Sequence, residues 1–338
     1  MSCDGLKEKG AHYLIIGING SLAQGFAKKI LLMDKTAQIT GVDARASLGS
    51  LDSKRLIYKK IKYNRTHFER LFRGNQFDYV FHLGRLSHAA PRSNVFEKAN
   101  FNVAGTQRIL ELALKHGVKK LVLLSTFHVY GAFADNPLFI PENYPLRASF
   151  AYHDLSDVVE MDQNASSFMW RYRDEMEVVI LRPCNVVGSN INNAISNYLR
   201  TPFGPLPVDY RPMFQFIHKS DLASVLQRSI KELPSGVYNV APKDTISLEK
   251  AKKLLAIPSL PVPIFLASSL AKVTRLPWQI PLYLFEYLKH SCVIDTKDIR
   301  HFLGDDFCRY SSRQAICEVL KKEPLLLSGG KDKASHGR

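Results

Sequence analysis

The spacing Gly17-Ile-Asn19-Gly20-Ser-Leu-Ala23 falls directly after the apolar run Tyr13-Leu-Ile-Ile and directly before the amphipathic stretch Gln24 to Leu32. A strand-to-helix turn of this kind needs glycine where the chain bends tightly and where backbone meets a diphosphate. Its third position must be small so that the helix packs on the sheet. Amides and dipole at the helix start then favour the anion. Asp43 follows Gly17 by 26 residues, at the end of a second apolar run, where an acid accepts both ribose hydroxyls and repels a 2′-phosphate. The expected ligand is NAD in preference to NADP, held by Gly17, Asn19, Gly20, Ala23 and Asp43. Arg45, two residues on, blurs that preference and joins the cofactor-binding set. A structural glycine turn is the alternative that spacing alone leaves open.

These residues need strands and helices to present them. Short apolar runs at Tyr13–Gly17, Ala37–Asp43, Tyr79–Leu83, Leu121–Ser125 and Val178–Leu181 alternate with amphipathic stretches such as Asn102 to His116. Continuous apolar strands joined by crossover helices predict an α/β fold with a parallel sheet covered on both faces. After Asn190 the texture changes to Pro- and Gly-rich loops, then to strand-helix units at 213–230 and 236–255, then to a mainly helical region reaching Leu320.

The chain has 338 residues, 46% of them hydrophobic, with 46 Lys plus Arg against 31 Asp plus Glu, a formal charge of +15. This apolar fraction excludes disorder over most of the length, and collagen-like or coiled-coil periods are absent. Five scattered cysteines (Cys3, Cys184, Cys292, Cys308, Cys317) with no Cys-x-x-Cys pair argue against a disulfide framework or a metal site. The N-terminus lacks the apolar core of a secretory signal, so a cytoplasmic location is expected. Leu254 to Ala271 runs 18 residues without a charge but contains Pro258, Pro261 and Pro263, which points to a buried or membrane-surface segment rather than a span. Arg45 to Arg73 holds 9 basic and 2 acidic residues, and Lys321 to Arg338 holds 5 and 2. A solvated basic face and a loose tail are the expectation for these stretches. Binding to nucleic acid or anionic membrane rests on charge alone, and nucleic acid is not an expected partner.

Further motifs follow in order: Asp78-Tyr-Val-Phe-His82-Leu83-Gly84, Asn102-Val-Ala-Gly-Thr106, Leu124-Ser-Thr126-Phe-His128-Val-Tyr130-Gly131, Tyr152, Leu181-Arg-Pro183-Cys-Asn185-Val-Val-Gly188 and Phe216-Ile-His218-Lys-Ser-Asp221. With the glycine turn and Asp43 they resemble the extended short-chain dehydrogenase/reductases, the NAD-dependent epimerase/dehydratase group, over roughly residues 12–250. The resemblance implies a Rossmann-type doubly wound parallel sheet with a smaller, mainly helical C-terminal substrate domain. It places residues 11–190 and 213–245 in the nucleotide-binding domain, 191–212 and 246–320 in the substrate-binding region, and 321–338 in a basic tail expected to be disordered. By the same resemblance Leu83, Gly84 and Pro183 join the cofactor site. Thr126 orients the substrate oxygen, Tyr152 exchanges a proton with it, and His128, Asn185 and Phe214 face the substrate. A small-molecule substrate is implied, and a homodimer through a helical face is the family precedent.

Three departures bear on that reading. The family pairs its tyrosine with a lysine four residues on, whereas here that position is Ser156, and no lysine occurs between Lys120 and Lys219. An unassisted tyrosine, with a pKa of about 10, is a poor proton acceptor near pH 7. The third strand's end reads Lys60-Ile-Lys-Tyr-Asn-Arg65 where the family often carries an adenine-binding acid. Phe214 stands near the place of a diphosphate-binding arginine, which suits an apolar or sterol-like ligand, while Arg211 keeps a sugar-nucleotide ligand open. Trp278 and Tyr283 lie among aliphatic residues, a pattern of substrate-domain lining with peripheral membrane contact as the alternative. The function expected is an NAD-dependent oxidoreductase or epimerase acting on a carbinol or carbonyl. A catalytically silent dinucleotide-binding structural or regulatory protein is the rival that Ser156 suggests.

Overall fold

The computed structural model describes residues 10–46, 51, 53–85, 99–273 and 281–320. Trp278, Cys3 and the expected basic tail lie outside these residues. Seven strands form one parallel sheet: β1 (His12–Ile16), β2 (Gln38–Asp43), β3 (Leu56–Lys60), β4 (Tyr79–His82), β5 (Lys120–Leu124), β6 (Glu177–Pro183) and β11 (Gly236–Val240). Their order across the sheet, β11-β6-β5-β4-β1-β2-β3, reverses direction at β1, and the chain leaves β1 to one side and β4 to the other. Crevices for ligands open at such switch points, outside the carboxyl ends of the strands. The parallel sheet expected from the alternating apolar runs, and the doubly wound arrangement that the family resemblance implies, are the ones observed.

Helix α1 (Ser21–Met33) follows the glycine turn, α2 (Arg65–Arg73) follows β3, and a seven-residue π-helical stretch, Ala99–Gly105, runs into α3 (Thr106–Lys115). Strand β1 shows why both faces need cover: Tyr13 and Ile15 point into one core, Leu14 and Ile16 into the other. On the first side Phe26 of α1 meets Phe81 of β4 with ring centroids 4.3 Å apart, and both are fully buried. On the second, Phe68, Leu71 and Phe72 of α2 pack with Ile109 and Leu110 of α3. Burying each such side chain contributes roughly 1.5–3 kcal/mol.

No apolar run announces β3. Its Leu-Ile-Tyr-Lys-Lys pairs only with β2 and leaves Ile57 53% exposed, so the half-buried edge strand lacks the continuous apolar signature of its neighbours. The basic stretch around it is thus in part the rim of the sheet and the outer face of α2. The uncharged segment 254–271 divides at its prolines into β13 (Ser259–Val262) and the start of a helix over Ile264–Val273. Among the described residues no helix is long and apolar enough to cross a membrane.

Beyond Ser125 the chain makes a 3-10 turn (Phe127–Tyr130), a short helix α4 (Ala148–Ala151) and the long helix α5 (Ser156–Arg171). After β6 it forms β7 (Asn185–Val187) and α6 (Ala194–Arg200), whose N-cap Asn193 accepts a hydrogen bond from the Ser196 amide at 2.8 Å. β8 (Gly204–Pro207) pairs with β13, and β9 (Met213–Phe214) pairs with β12 (Ile246–Ser247). β10 (Phe216–His218) returns to pair with β7 and leads into α7 (Lys219–Arg228), which packs against α1.

A buried polar network fixes the sheet to the segment between β5 and α5. Arg182 of β6 donates to both carboxylate oxygens of Asp162 at 3.0 and 2.6 Å, to the Tyr130 hydroxyl at 2.8 Å and to the Glu142 carbonyl at 2.8 Å. Ser125 also donates to Asp162. The Tyr130 hydroxyl donates to Asn239, whose side chain holds the Ile140 carbonyl and whose amide donates to the Glu142 carboxyl at 2.8 Å. Burial alone would lower the Arg182 pKa, but the Asp162 carboxylate outweighs it and holds the guanidinium charged.

Two stability predictions follow from this network. Asp162→Asn leaves a buried guanidinium without its counter-charge and is expected to destabilise the fold by about 3–5 kcal/mol in denaturant unfolding. Burial pushes the Glu142 carboxyl above the usual carboxylate range, up to about 7. The fold therefore favours the protonated acid: this stabilisation is complete below the unfolded value and is lost as pH rises through the folded one. Glu142→Gln keeps an oxygen for the Asn239 amide, so its stability advantage over wild type should grow from pH 5 to pH 8, by on the order of 1 kcal/mol after solvent screening.

Candidate active site

The glycine turn after β1 lies against the loop after β4. Gly17 sits at φ +87°, and a Cβ there would fall 2.5 Å from the Gly84 Cα; a Cβ on Gly84 would fall 3.0 Å from the Gly17 Cα. Both positions must be bare for the two loops to meet. The Leu83 amide completes the join by donating to the Ile16 carbonyl at 3.0 Å. Gly20 precedes α1 in an extended conformation and no side chain caps the helix. The first amides of α1 therefore have no acceptor within the helix and none from a cap. Ala23 is buried where α1 meets the sheet.

Asp43 ends β2 beside this turn and is 8% exposed. Its carboxylate accepts from the Asn19 amide at 3.1 Å, from the Arg45 amide at 3.0 Å, and from the Arg45 side chain at 3.0 and 3.1 Å. Burial alone would raise its pKa, but the Arg45 hydrogen bonds and charge hold it below the usual carboxylate value. The Asn19 side chain donates to the Ala46 carbonyl at 2.9 Å, which ties the turn to the end of β2. Uncapped amides, a loop contact open only to glycine, and an acid at the next strand end together fit a dinucleotide's diphosphate and ribose. The acid is half neutralised by its own neighbour, a feature that the sequence hinted at through the proximity of Arg45.

Where the Gly84 loop ends, a cleft of about 120 Å³ begins. Thr126, His128 and Asn185 converge there, with Leu83 and Pro183 from the cofactor side and Asn193 at the start of α6. Thr126 caps the 3-10 turn by accepting from the His128 amide, which orients both residues. The half-buried His128 ring is met edge-on by Tyr287 at 4.7 Å, and the Tyr287 hydroxyl donates to the His128 carbonyl. Asn185 donates to the Gln215 carbonyl at 3.1 Å. The nearby His82 is fully enclosed, paired with Thr106, and pushed by burial down to about 4, so it stays neutral.

Three residues singled out in the sequence, Tyr152, Ser156 and Phe214, do not line this cleft. Tyr152 and Ser156 do not share a helix: Tyr152 is extended at the end of α4 (φ −130°, ψ 95°), a 3-10 turn follows, and Ser156 opens α5. Tyr152 is not among the residues lining the cleft, and its hydroxyl donates to the Ala132 carbonyl at 3.1 Å. Burial, with Glu286 nearby, pushes its pKa up, away from the range of a proton acceptor. The wall that α5 and its preceding turn give the cleft is Leu155 and Val158, both apolar. Phe214 does not face the cleft either; it is 4% exposed, held by β9 pairing with β12 and stacked on Phe216 at 5.8 Å.

Arg85 was missed by reasoning from sequence, although it directly follows Gly84. It is the one cation among the residues that line the cleft, and while burial lowers its pKa, Tyr283 and the Asp157 carboxylate act in the opposite direction. Tyr283, read from sequence as lining or as an interfacial residue, lines the cleft opposite it. A larger cavity, about 660 Å³, lies elsewhere, between the loop after β8, α8 (Leu248–Leu254) and β13, and includes Arg211. It shares no lining residue with the cleft. Its buried Lys252, lowered by burial to about 8, donates to the Tyr198 and Thr201 carbonyls and so caps the end of α6. No group of residues able to hold a metal ion occurs among the described residues.

Comparison with known proteins agrees with this fold. A profile of the NAD dependent epimerase/dehydratase family matches residues 13–241. An uncharacterized protein of Mycobacterium tuberculosis is 26% identical over 238 residues, 70% of this chain and 63% of its own, so the match spans under two thirds of that relative. UDP-glucose 4-epimerase 2 of rice (Oryza sativa subsp. japonica) is 30% identical over 149 residues, 43% of this chain and 35% of the rice protein. Among solved structures, UDP-glucose 4-epimerase of Bifidobacterium longum, in complex with NAD+ and UDP, superposes with TM-score 0.70 at 19% identity, covering 92% of this chain and 97% of that one. The dTDP-glucose 4,6-dehydratase of Bacillus anthracis, in complex with NAD, gives 0.69 at 18%, covering 92% and 95%. At these identities the structural likeness carries the fold.

The Asp43 and Arg45 pairing generates a test of cofactor choice. Arg45→Ala frees the carboxylate for ribose hydroxyls and removes the cation a 2′-phosphate would meet. The ratio of NAD to NADP affinity, measured by calorimetry, is expected to rise about tenfold.

Proposed function

Because the chain belongs to the NAD-dependent epimerase/dehydratase family, we propose that it is an NAD-dependent oxidoreductase or epimerase-type enzyme acting at a carbinol or carbonyl carbon. The observation that carries this reading is the convergence of Thr126, His128 and Asn185 in a cleft that starts at the Gly17–Gly84 contact. Gly17, Asn19, Gly20, Ala23, Asp43, Leu83, Gly84 and Pro183 are the residues that would hold the dinucleotide. NAD, when bound, supplies the hydride acceptor or donor. Thr126 holds the substrate oxygen by its hydroxyl, and His128 takes or returns the proton on that oxygen. An imidazole needs no neighbouring cation to work near pH 7, whereas a tyrosine with an elevated pKa does. The family's tyrosine-lysine pair is thus replaced in role, with Tyr152 kept as a structural hydroxyl on Ala132.

Arg85 gives the substrate side of the cleft a place for a carboxylate or phosphate, and the apolar Leu155, Val158, Ile195 and Tyr283 surround the carbon skeleton. A uronate or a sugar nucleotide, the substrate types named for relatives, meets the first requirement. Ser156, in the place of the family's lysine, favours a second reading, a dinucleotide-binding protein without turnover. Wild type, His128→Gln, Tyr152→Phe and Thr126→Ala are to be assayed on UDP-glucose and on a uronate. On the first reading His128→Gln loses at least about 100-fold in kcat and one limb of the pH–rate profile, while Tyr152→Phe stays within about threefold. An equal loss in Tyr152→Phe returns the proton role to the tyrosine. Dinucleotide binding without turnover on either compound supports the second reading.

A further inference from the structure

We propose that the cavity between the loop after β8, α8 and β13 is a second binding site, for an amphipathic anion: a carboxylate or phosphate head on an apolar body. Its volume, about 660 Å³, suits a small molecule of that kind. It shares no lining residue with the cleft, so the site stands apart from the cofactor and substrate reading. Three cations line it, Arg211, Lys252 and Lys253, against a single carboxylate, Glu249. Lys253 pairs with that carboxylate at 2.7 Å, and Arg211 also acts on it. The lining thus keeps a surplus of positive charge.

Lys252 is the centre of that surplus, and it is only 2% exposed. Its ammonium donates to the Tyr198 and Thr201 carbonyls at 3.1 and 3.2 Å and lies 4.6 Å from the centre of the Tyr198 ring. Among the described residues no carboxylate pairs with it. An ammonium has three donors, and the two carbonyls occupy two of them. Carbonyl dipoles and a ring face offset its lost hydration only in part, since burial still lowers the group to about 8. A buried cation in this state is stabilised by an anion that enters beside it. The rest of the lining decides what that anion carries. Pro207, Pro212, Pro258 and Pro261 have no amide N–H to donate, so they present apolar surface where a wholly polar ligand would need partners. At the margin Val208 is 59% exposed, and Leu260, between the lining residues Ser259 and Pro261, is 44% exposed. An apolar body gains by covering them, whereas an inorganic anion does not.

The probes are decanoate, its neutral counterpart decanol, and acetate, titrated by calorimetry into the full chain below the micelle concentration. Decanoate is expected to bind wild type at one site, at least about tenfold more tightly than decanol or acetate. Arg211→Ala, at an exposed position, and Lys252→Gln, which keeps a donor for the carbonyls at the end of α6, are each expected to weaken decanoate about tenfold and to leave decanol unchanged. Arg211→Ala decides alone if the Lys252 variant does not fold. Arg85→Ala, in the cleft, is expected to leave decanoate affinity as it is. Sedimentation with phosphatidylglycerol vesicles separates the sources of the ligand: decanoate binding without vesicle binding assigns a free amphiphile, and both together assign a bilayer lipid. Decanoate binding no tighter than decanol, wild-type affinity in either folded variant, or a loss confined to Arg85→Ala overturns the proposal.

Discussion

The contact between Gly17 and Gly84 is the constraint from which the site is built. Two loops from adjacent strands approach so closely that a single added methyl on either would collide with the other's backbone. Because β1 and β4 are the strands at which the sheet order reverses, this contact sits where a crevice must open. It leaves the start of α1 uncovered on one side and leads through Leu83 into the cleft on the other. Asp43 and Thr126 come from the end of β2 and the turn after β5, so the seven-stranded sheet's register sets their spacing, while Asn185 opens β7 just beyond the end of β6. The chemistry is thus held by the most buried part of the molecule, although its functional atoms come from the loops.

Much of this arrangement was legible in the sequence. Strands buried on both faces announce themselves as continuous apolar runs, and the glycine turn could be placed because it falls between such a run and a helix. Thr126, His128, Asn185, Leu83 and Pro183 were identified through motif order, and the fold brings them into one cleft. What escaped depends on dihedrals and reach. A spacing of four residues from Tyr152 to Ser156 implies one helix face only if the helix is continuous, and here the chain turns between them. Phe214 follows the strand alternation into the core, a fact settled by the pairing of β9 rather than by its neighbours in sequence. Lys252 is invisible to any local reading, since the carbonyls it holds come from a segment far away in the chain.

The electrostatics of the two ends of the cleft differ in kind. At the cofactor end an acid is already matched by Arg45, whose side chain is 66% exposed and can move away as a ligand arrives. At the substrate end Arg85 lies under the influence of Tyr283 and the Asp157 carboxylate, while Thr126, His128 and Asn185 supply hydrogen-bonding groups. The formal excess of basic residues is therefore a poor guide to function taken as a total. Its local distribution, with one arginine at each end of the cleft, is the informative quantity.

The buried network around Arg182 bears on how the cleft can be entered. Asn239 holds the Ile140 carbonyl, and Ile140 in turn exchanges backbone hydrogen bonds with Val293 and Asp295 of the C-terminal segment at 2.8 and 2.9 Å. The sheet, the excursion after β5 and the segment that bears Tyr283 and Tyr287 are thereby riveted into one frame. A frame fastened in this way ties the C-terminal segment to the cleft by its backbone as well as by its side chains. Tyr283 lines the cleft and Tyr287 holds the His128 carbonyl from behind it, so the aromatic wall belongs to the same fixed scaffold as the sheet.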